Sequence, residues 1–156
     1  MVRAPKPVSA PFSWLGAIHG ARAMNWVHAQ NARTQARYAS GADFSQLRDQ
    51  ILQVYDSDAR IPYVDRRGKF LYNFWRDKQH PRGLWRRTTL AEFKKPHPRW
   101  DVLLDVDALN QAEGKRWVFK GVGCLKPKYN DCLISLSPDG GDAHVDREFD
   151  VVSKPL

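Results

Sequence analysis

The spacing of apolar positions along the 156 residues changes once, near residue 60. Before that point they recur every three or four residues, the helical period. After it they alternate in short runs punctuated by Gly and Pro. From 14 to 38 the chain is rich in Ala, Gln, Arg and Asn and free of proline. Ile18, Ala21, Val27 and Ala32 fall near one face with Trp26 beside them, which predicts one long helix starting near His19 or Gly20. Ser40-Gly41-Ala42 ends it. Asp43 then opens a second helix, with Gln46 three residues on in capping-box position. Phe44, Leu47, Ile51 and Val54/Tyr55 make an apolar stripe that should face a core, and Asp56-Ser57-Asp58 closes the helix. Residues 1–13 hold Pro5, Pro7 and Pro11 and read as an extended lead-in.

Beyond residue 60, short strands are expected at 61–65, 69–76, 84–90 and 101–106, then at 117–124, 131–137 and 143–149. Arg67-Gly68, His80-Pro81-Arg82-Gly83 and Pro138-Asp139-Gly140-Gly141 supply turns. The strands form groups of four and three that begin about 56 residues apart, at Ile61 and Trp117. Repetition at that period is the mark of propeller blades, each a four-stranded antiparallel sheet. The fold class expected is therefore mainly β with N-terminal α-helices, a partial β-propeller of about one and three-quarter blades. Its segments are a lead-in at 1–13, helices at 14–58 and a truncated propeller at 59–156, with blade 1 at about 61–110 and an incomplete blade 2 at about 117–156.

Composition sharpens this picture in three places. Aromatic residues reach 12%, which suits packed strands and argues against disorder. The net charge of +8 is concentrated, since residues 61–100 alone carry 11 Lys+Arg against 3 Asp+Glu. No apolar run approaches the roughly 18–20 residues of a membrane helix. With two cysteines and nothing of signal-peptide form near the start, a cytoplasmic protein is expected.

The strand sequences carry a resemblance. Phe70-Leu71-Tyr72-Asn73-Phe74-Trp75-Arg76-Asp77 followed by His80-Pro81-Arg82-Gly83-Leu84-Trp85-Arg86-Arg87-Thr88 is similar to the first propeller blade of the prolyl oligopeptidase family. Trp117-Val118-Phe119-Lys120-Gly121 and Cys132-Leu133-Ile134-Ser135-Leu136-Ser137 resemble the start of the next blade, and Trp26-Val27 through Asn31-Ala32-Arg33-Thr34 the preceding helix. The resemblance implies a parent serine peptidase cutting short peptides, typically after proline. It also implies a seven-bladed propeller that gates access, and a C-terminal α/β-hydrolase domain against which the N-terminal helices pack. Family members are several times longer, and their catalytic Ser, Asp and His lie in the hydrolase segment. No catalytic residue carries over, and a fragment inactive on its own is expected.

The residues agree with that expectation. None of Ser9, Ser13, Ser40, Ser45, Ser57, Ser135, Ser137 and Ser153 sits in a G-x-S-x-G elbow. His19, His28, His80, His97 and His144 are expected on the surface. No catalytic, cofactor or metal site is expected, since Asp101, Asp105 and Asp107 lack the glycine and glutamate of a calcium loop. Cys124 and Cys132 flank a turn and are read as a pair of reduced, partly buried thiols. The basic stretch is interleaved with Phe70, Tyr72, Phe74, Trp75 and Trp85, a composition that also suits a nucleic-acid platform. Strand alternation puts aromatics on both faces, however, which makes them core, with arginines at strand ends lining an opening or pairing with acids in further blades. The alternatives are a stand-alone interaction module using an exposed blade edge and, less favoured, a basic nucleic-acid-binding domain.

Overall fold

The structure, a computed structural model, describes residues 11–57 and 59–154; most of the expected lead-in lies outside them. The chain divides into two compact units, Met1–Ile51 and Leu52–Leu156.

A 3-10 turn at Ser13–Gly16 precedes α1, Ala21–Tyr38, in the first unit, and the helix that follows runs across the boundary at Ile51. Trp14 anchors the turn. Its indole N–H donates to the Pro11 carbonyl at 3.1 Å, its ring meets Trp26 edge-on at 6.2 Å, and the Arg22 guanidinium lies 4.3 Å above it. Gly41, at φ 96°, turns the chain into α2, Ala42–Asp56. Asp43 therefore lies inside the first helical turn, where its charge suits the helix dipole. The Ser45 N–H goes to the Gly41 carbonyl at 3.2 Å, so the backbone closes that turn. The expectation that the α2 stripe faces a core is overturned. No residue of α2 is buried, and Phe44 is 38% and Tyr55 65% exposed. Periodicity sorts apolar groups onto one side of a helix but does not supply what covers them. No helix among the described residues is long and apolar enough to cross a membrane.

In the second unit, β1 (Asp65–Arg67), β2 (Phe70–Trp75), β3 (Leu84–Thr89) and β4 (Asp101–Asp105) form one antiparallel sheet in chain order. β5 (Trp117–Cys124), β6 (Asp131–Pro138) and β7 (Val145–Asp150) form a second. The groups of four and three are those read from the sequence. The first strand is not where the pattern put it. Ile61 and Tyr63 are about nine-tenths exposed, and pairing starts only at Asp65 opposite Tyr72. Pro62 has no N–H to give a ladder, and the two-residue turn at Gly68-Lys69 sets the register from the other end.

Two helical pieces interrupt the strands. α3, Leu90–Phe93, starts where Thr89 accepts the Glu92 N–H at 3.3 Å. α4, Val106–Glu113, is capped by Asp105, which accepts from Asp107 N at 2.9 Å and Ala108 N at 3.0 Å, and it stops at Gly114 in the left-handed region. The core lies between the sheets, where Tyr72, Trp85, Leu104, Val106, Ile134, Leu136 and Phe149 pack together.

Candidate functional site

The seam between the sheets is built from alternation. Phe70, Tyr72 and Phe74 leave β2 toward the second sheet, whereas Leu71, Asn73 and Trp75 leave it on the far side. Phe74 stacks on Phe119 with centroids 4.3 Å apart. Tyr72 stacks on Trp85 at 5.7 Å, and Trp85 meets Phe149 edge-on at 5.5 Å. Tyr72, Trp85 and Phe149 are buried and Phe74 and Phe119 are half-buried, which makes the rings part of the core.

Three arginines of the basic run, Arg67 at the end of β1 and Arg86 and Arg87 in β3, are spent on contacts inside the chain. Arg86 lies in the middle of β3, its guanidinium sandwiched 4.5 Å from Trp75 and 4.2 Å from Trp100, and its Nε–H donates to Asn73 Oδ1 at 2.9 Å. Burial there pulls its pKa down to about 10 against the opposing field of Asp77. Arg87 lies over Phe70 at 4.4 Å and donates to Asp101 at 3.0 Å. Arg67 reaches across the seam to Val122 and Cys124. Arg60 covers Trp75 at 4.7 Å and donates to the Ser57 and Arg76 carbonyls. Cross-strand pairing was the missed signal: Arg86 stands opposite Asn73 in the β2–β3 ladder.

The acidic cluster is likewise occupied. Asp105 caps α4. Asp107 Oδ2 accepts from Arg82 N at 2.9 Å and Gly83 N at 3.2 Å, tying α4 to the β2–β3 turn. Asp101 accepts from Arg87 and from Lys154, the latter at 2.6 Å. Desolvation opposes ionisation of Asp101, but these two cations outweigh it and hold the carboxyl below its usual range.

Among the serines, Ser137 is fully buried and donates to the Gly141 carbonyl at 2.7 Å, closing the β6–β7 turn. His19, His28, His97 and His144 are exposed. His80 is half-buried, not on the open surface, because its Nδ1 sits 3.0 Å from Asp77 Oδ1. Asp77 is opposed by burial yet held below the usual range by hydrogen bonds from His80 and the Trp75 indole. No serine hydroxyl joins this His–Asp pair among the described residues, so the pair braces a turn. The reduced thiols read from the sequence are corrected: Cys124 and Cys132 form a disulfide. The β5–β6 register sets them directly opposite one another.

Two open recesses follow the seam. One, of about 600 Å³, is lined by Arg60, Arg76, Lys120, Asp77, Phe74 and Phe119. The other, of about 320 Å³, lies near Asp65, Arg67, Tyr72 and Phe119. Their walls combine aromatic rings with cations and carboxylates, and no activated nucleophile lines them among the described residues.

The ion pair between α4 and β7 gives a prediction. Arg147 donates to both Glu113 oxygens, at 2.5 and 2.9 Å, and the Trp117 indole donates at 2.7 Å. These bonds, Arg147's first, hold Glu113 at about 2 instead of 4.5. A carboxyl depressed in the folded state adds stability above its unfolded pKa and loses it as pH falls toward the folded value. Urea midpoints should therefore fall between pH about 4.5 and about 2, and Glu113→Gln should flatten that part of the profile. An unchanged profile in the variant would remove Glu113 as a source.

Residues 2–155 match the family model described as the prolyl oligopeptidase N-terminal beta-propeller domain. The chain belongs to that family. An uncharacterized peptidase of Sinorhizobium fredii is 44% identical over 151 residues, covering 96% of this chain and 21% of the relative. One from Rickettsia prowazekii is 32% identical over 135 residues, covering 86% of this chain and 19% of the relative. Among solved structures, a post-proline cleaving enzyme from Rickettsia typhi superposes with a TM-score of 0.81 at 32% identity, over 90% of this chain and 20% of that one. Oligopeptidase B from Leishmania major, at 20% identity and a TM-score of 0.64, shares the fold. The chain thus spans about a fifth of its relatives' length, within the prolyl oligopeptidase propeller domain.

Proposed function

We propose that this chain serves as the N-terminal, substrate-gating portion of a prolyl-oligopeptidase-type serine peptidase and has no hydrolytic activity by itself. The observation that carries the reading is the superposition on the Rickettsia typhi post-proline cleaving enzyme, at 32% identity over 90% of the chain. One feature of the molecule also supports it. The α2 stripe is uncovered, as expected of a helix that docks on a hydrolase domain. The parent's substrates on this reading are short peptides, cut after proline.

The test has two arms. The purified chain should release no chromophore from a Gly-Pro anilide; turnover by a homogeneous sample overturns the inactive reading. Mixed with the C-terminal hydrolase portion of the Sinorhizobium relative, it should co-elute on size exclusion. Separate elution of two folded proteins overturns the docking.

A further inference from the structure

The bond between Cys124 and Cys132 sits in surroundings that make it chemically accessible. It lies on a recess of about 930 Å³ in the second sheet, whose walls include both cysteines with Leu125, Leu133, Glu148 and Phe149. That volume is within the range of small-molecule sites, roughly 300–1,000 Å³. The two residues are unequally buried, since Cys132 is 4% exposed and Cys124 is only partly buried.

The other sheet contributes a cation. Arg67, from β1, places Nη1 3.0 Å from Cys124 Sγ, donates from Nη2 to the Val122 carbonyl at 3.3 Å, and lies over the Tyr72 ring at 5.2 Å. A guanidinium held at that distance favours negative charge on the sulfur. Cys132 has the opposite environment. Its sulfur faces the Tyr129 and Asn130 carbonyls, each at 3.9 Å, which can accept an S–H but repel a thiolate.

We propose that Cys124–Cys132 is a thiol–disulfide exchange site for a small thiol, with Cys124 as the exchanging sulfur and Arg67 as its positioning residue. In the first step a thiolate entering from the recess attacks Cys124 Sγ. The Cys124–Cys132 bond breaks, its electron pair stays on Cys132, and Cys132 takes a proton from water. A second thiolate then attacks the outer sulfur of the mixed disulfide. It leaves as the small-molecule disulfide and releases Cys124 as a thiolate beside Arg67. Two thiolates and one proton are consumed, and the small thiol is oxidised as the protein pair is reduced. The site thus has two states, disulfide and dithiol. This inference rests on the second sheet and Arg67 alone and stands apart from the peptidase reading.

The experiment equilibrates the full chain in graded reduced and oxidised glutathione without denaturant, then alkylates it and weighs it intact. Two alkyl groups should appear at the reducing end and none at the oxidising end, reversibly. Cys132→Ser in oxidised glutathione should trap one glutathione on Cys124. In that background Arg67→Gln should slow alkylation of Cys124 about three- to tenfold near neutral pH, with Arg67→Lys recovering most of the rate. A bond that opens only in denaturant, or thiols that never pair in oxidised buffer, overturns the site. Unchanged labelling in Arg67→Gln overturns the role of Arg67. Should that variant lose its circular dichroism spectrum, the native glutathione adduct on Cys124 decides the proposal.

Discussion

Trp85→Ala is expected to destabilise the second unit by about 3–5 kcal/mol, the usual cost of emptying a buried large aromatic site. Trp85 is 2% exposed and is the ring on which both sheets converge, with Tyr72 at 5.7 Å on its own sheet and Phe149 at 5.5 Å on the other. Its removal leaves a void bounded by rigid strands on two sides, which cannot collapse without breaking ladder hydrogen bonds. With a urea slope of roughly 1–3 kcal/mol/M, the midpoint should drop by about 1 M or more. Trp85→Phe keeps a ring in place and should recover part of the loss. A shift under about 0.3 M for Trp85→Ala would mean that the two sheets are stabilised elsewhere.

Gly83→Ala should cost roughly 2–4 kcal/mol through a different mechanism. Gly83 has φ 105°, and a Cβ there would lie 2.5 Å from Phe74 Cζ and 2.8 Å from Cε1. The Phe74 ring cannot simply step aside, because it is stacked on Phe119 at 4.3 Å. The Gly83 carbonyl also accepts the Val106 N–H at 3.0 Å, so a backbone shift would disturb the start of α4. Gly114→Ala is the control. Its φ is 61° with nothing within 4 Å of a new Cβ, so only the conformational cost of about 1–2 kcal/mol applies. A thermal melt separates the two: the Gly83 variant should fall by about 10 °C or more and the Gly114 variant by roughly half that. Equal shifts would show that the Phe74 contact contributes nothing.

How legible this molecule was in its sequence depends on the range of the interaction in question. The strand groups were readable because alternation is local: Phe70, Tyr72 and Phe74 face the core at every second position. α4 is not legible from the pattern, although its stop signal Gly114 and cap Asp105 are both in the sequence. At eight residues it is too short to show a period, and the buried Leu103, Leu104 and Val106 flank Asp105 on both sides of the strand-to-helix junction. β1 was displaced because Ile61 and Tyr63 look like strand residues, while pairing is dictated by the turn at Gly68. The α2 period gives a stripe, and what covers a stripe is not encoded in its spacing.

The candidate site was less legible than the fold. Each arginine contact joins positions distant in sequence, and composition says only that the region is basic. Arg67 and Cys124 are 57 residues apart. The sulfur pairing turned on hairpin register, where a slip of one residue would have put Cys124 and Cys132 on opposite faces. No spacing rule resolves that for two cysteines eight residues apart.

Every strand pair in both sheets joins neighbours along the chain, from β1–β2 through β6–β7. That order matters while the protein is being made. A hairpin can close as soon as its second strand leaves the ribosome, so the first sheet forms during synthesis without waiting for anything downstream. Trp85 must wait for Phe149, and at roughly 5–20 residues per second that interval is on the order of 3–13 seconds. Through that time the nascent chain presents the bare inward face of its first sheet, with Phe70, Tyr72 and Phe74, to whatever chaperone or neighbouring chain is at hand.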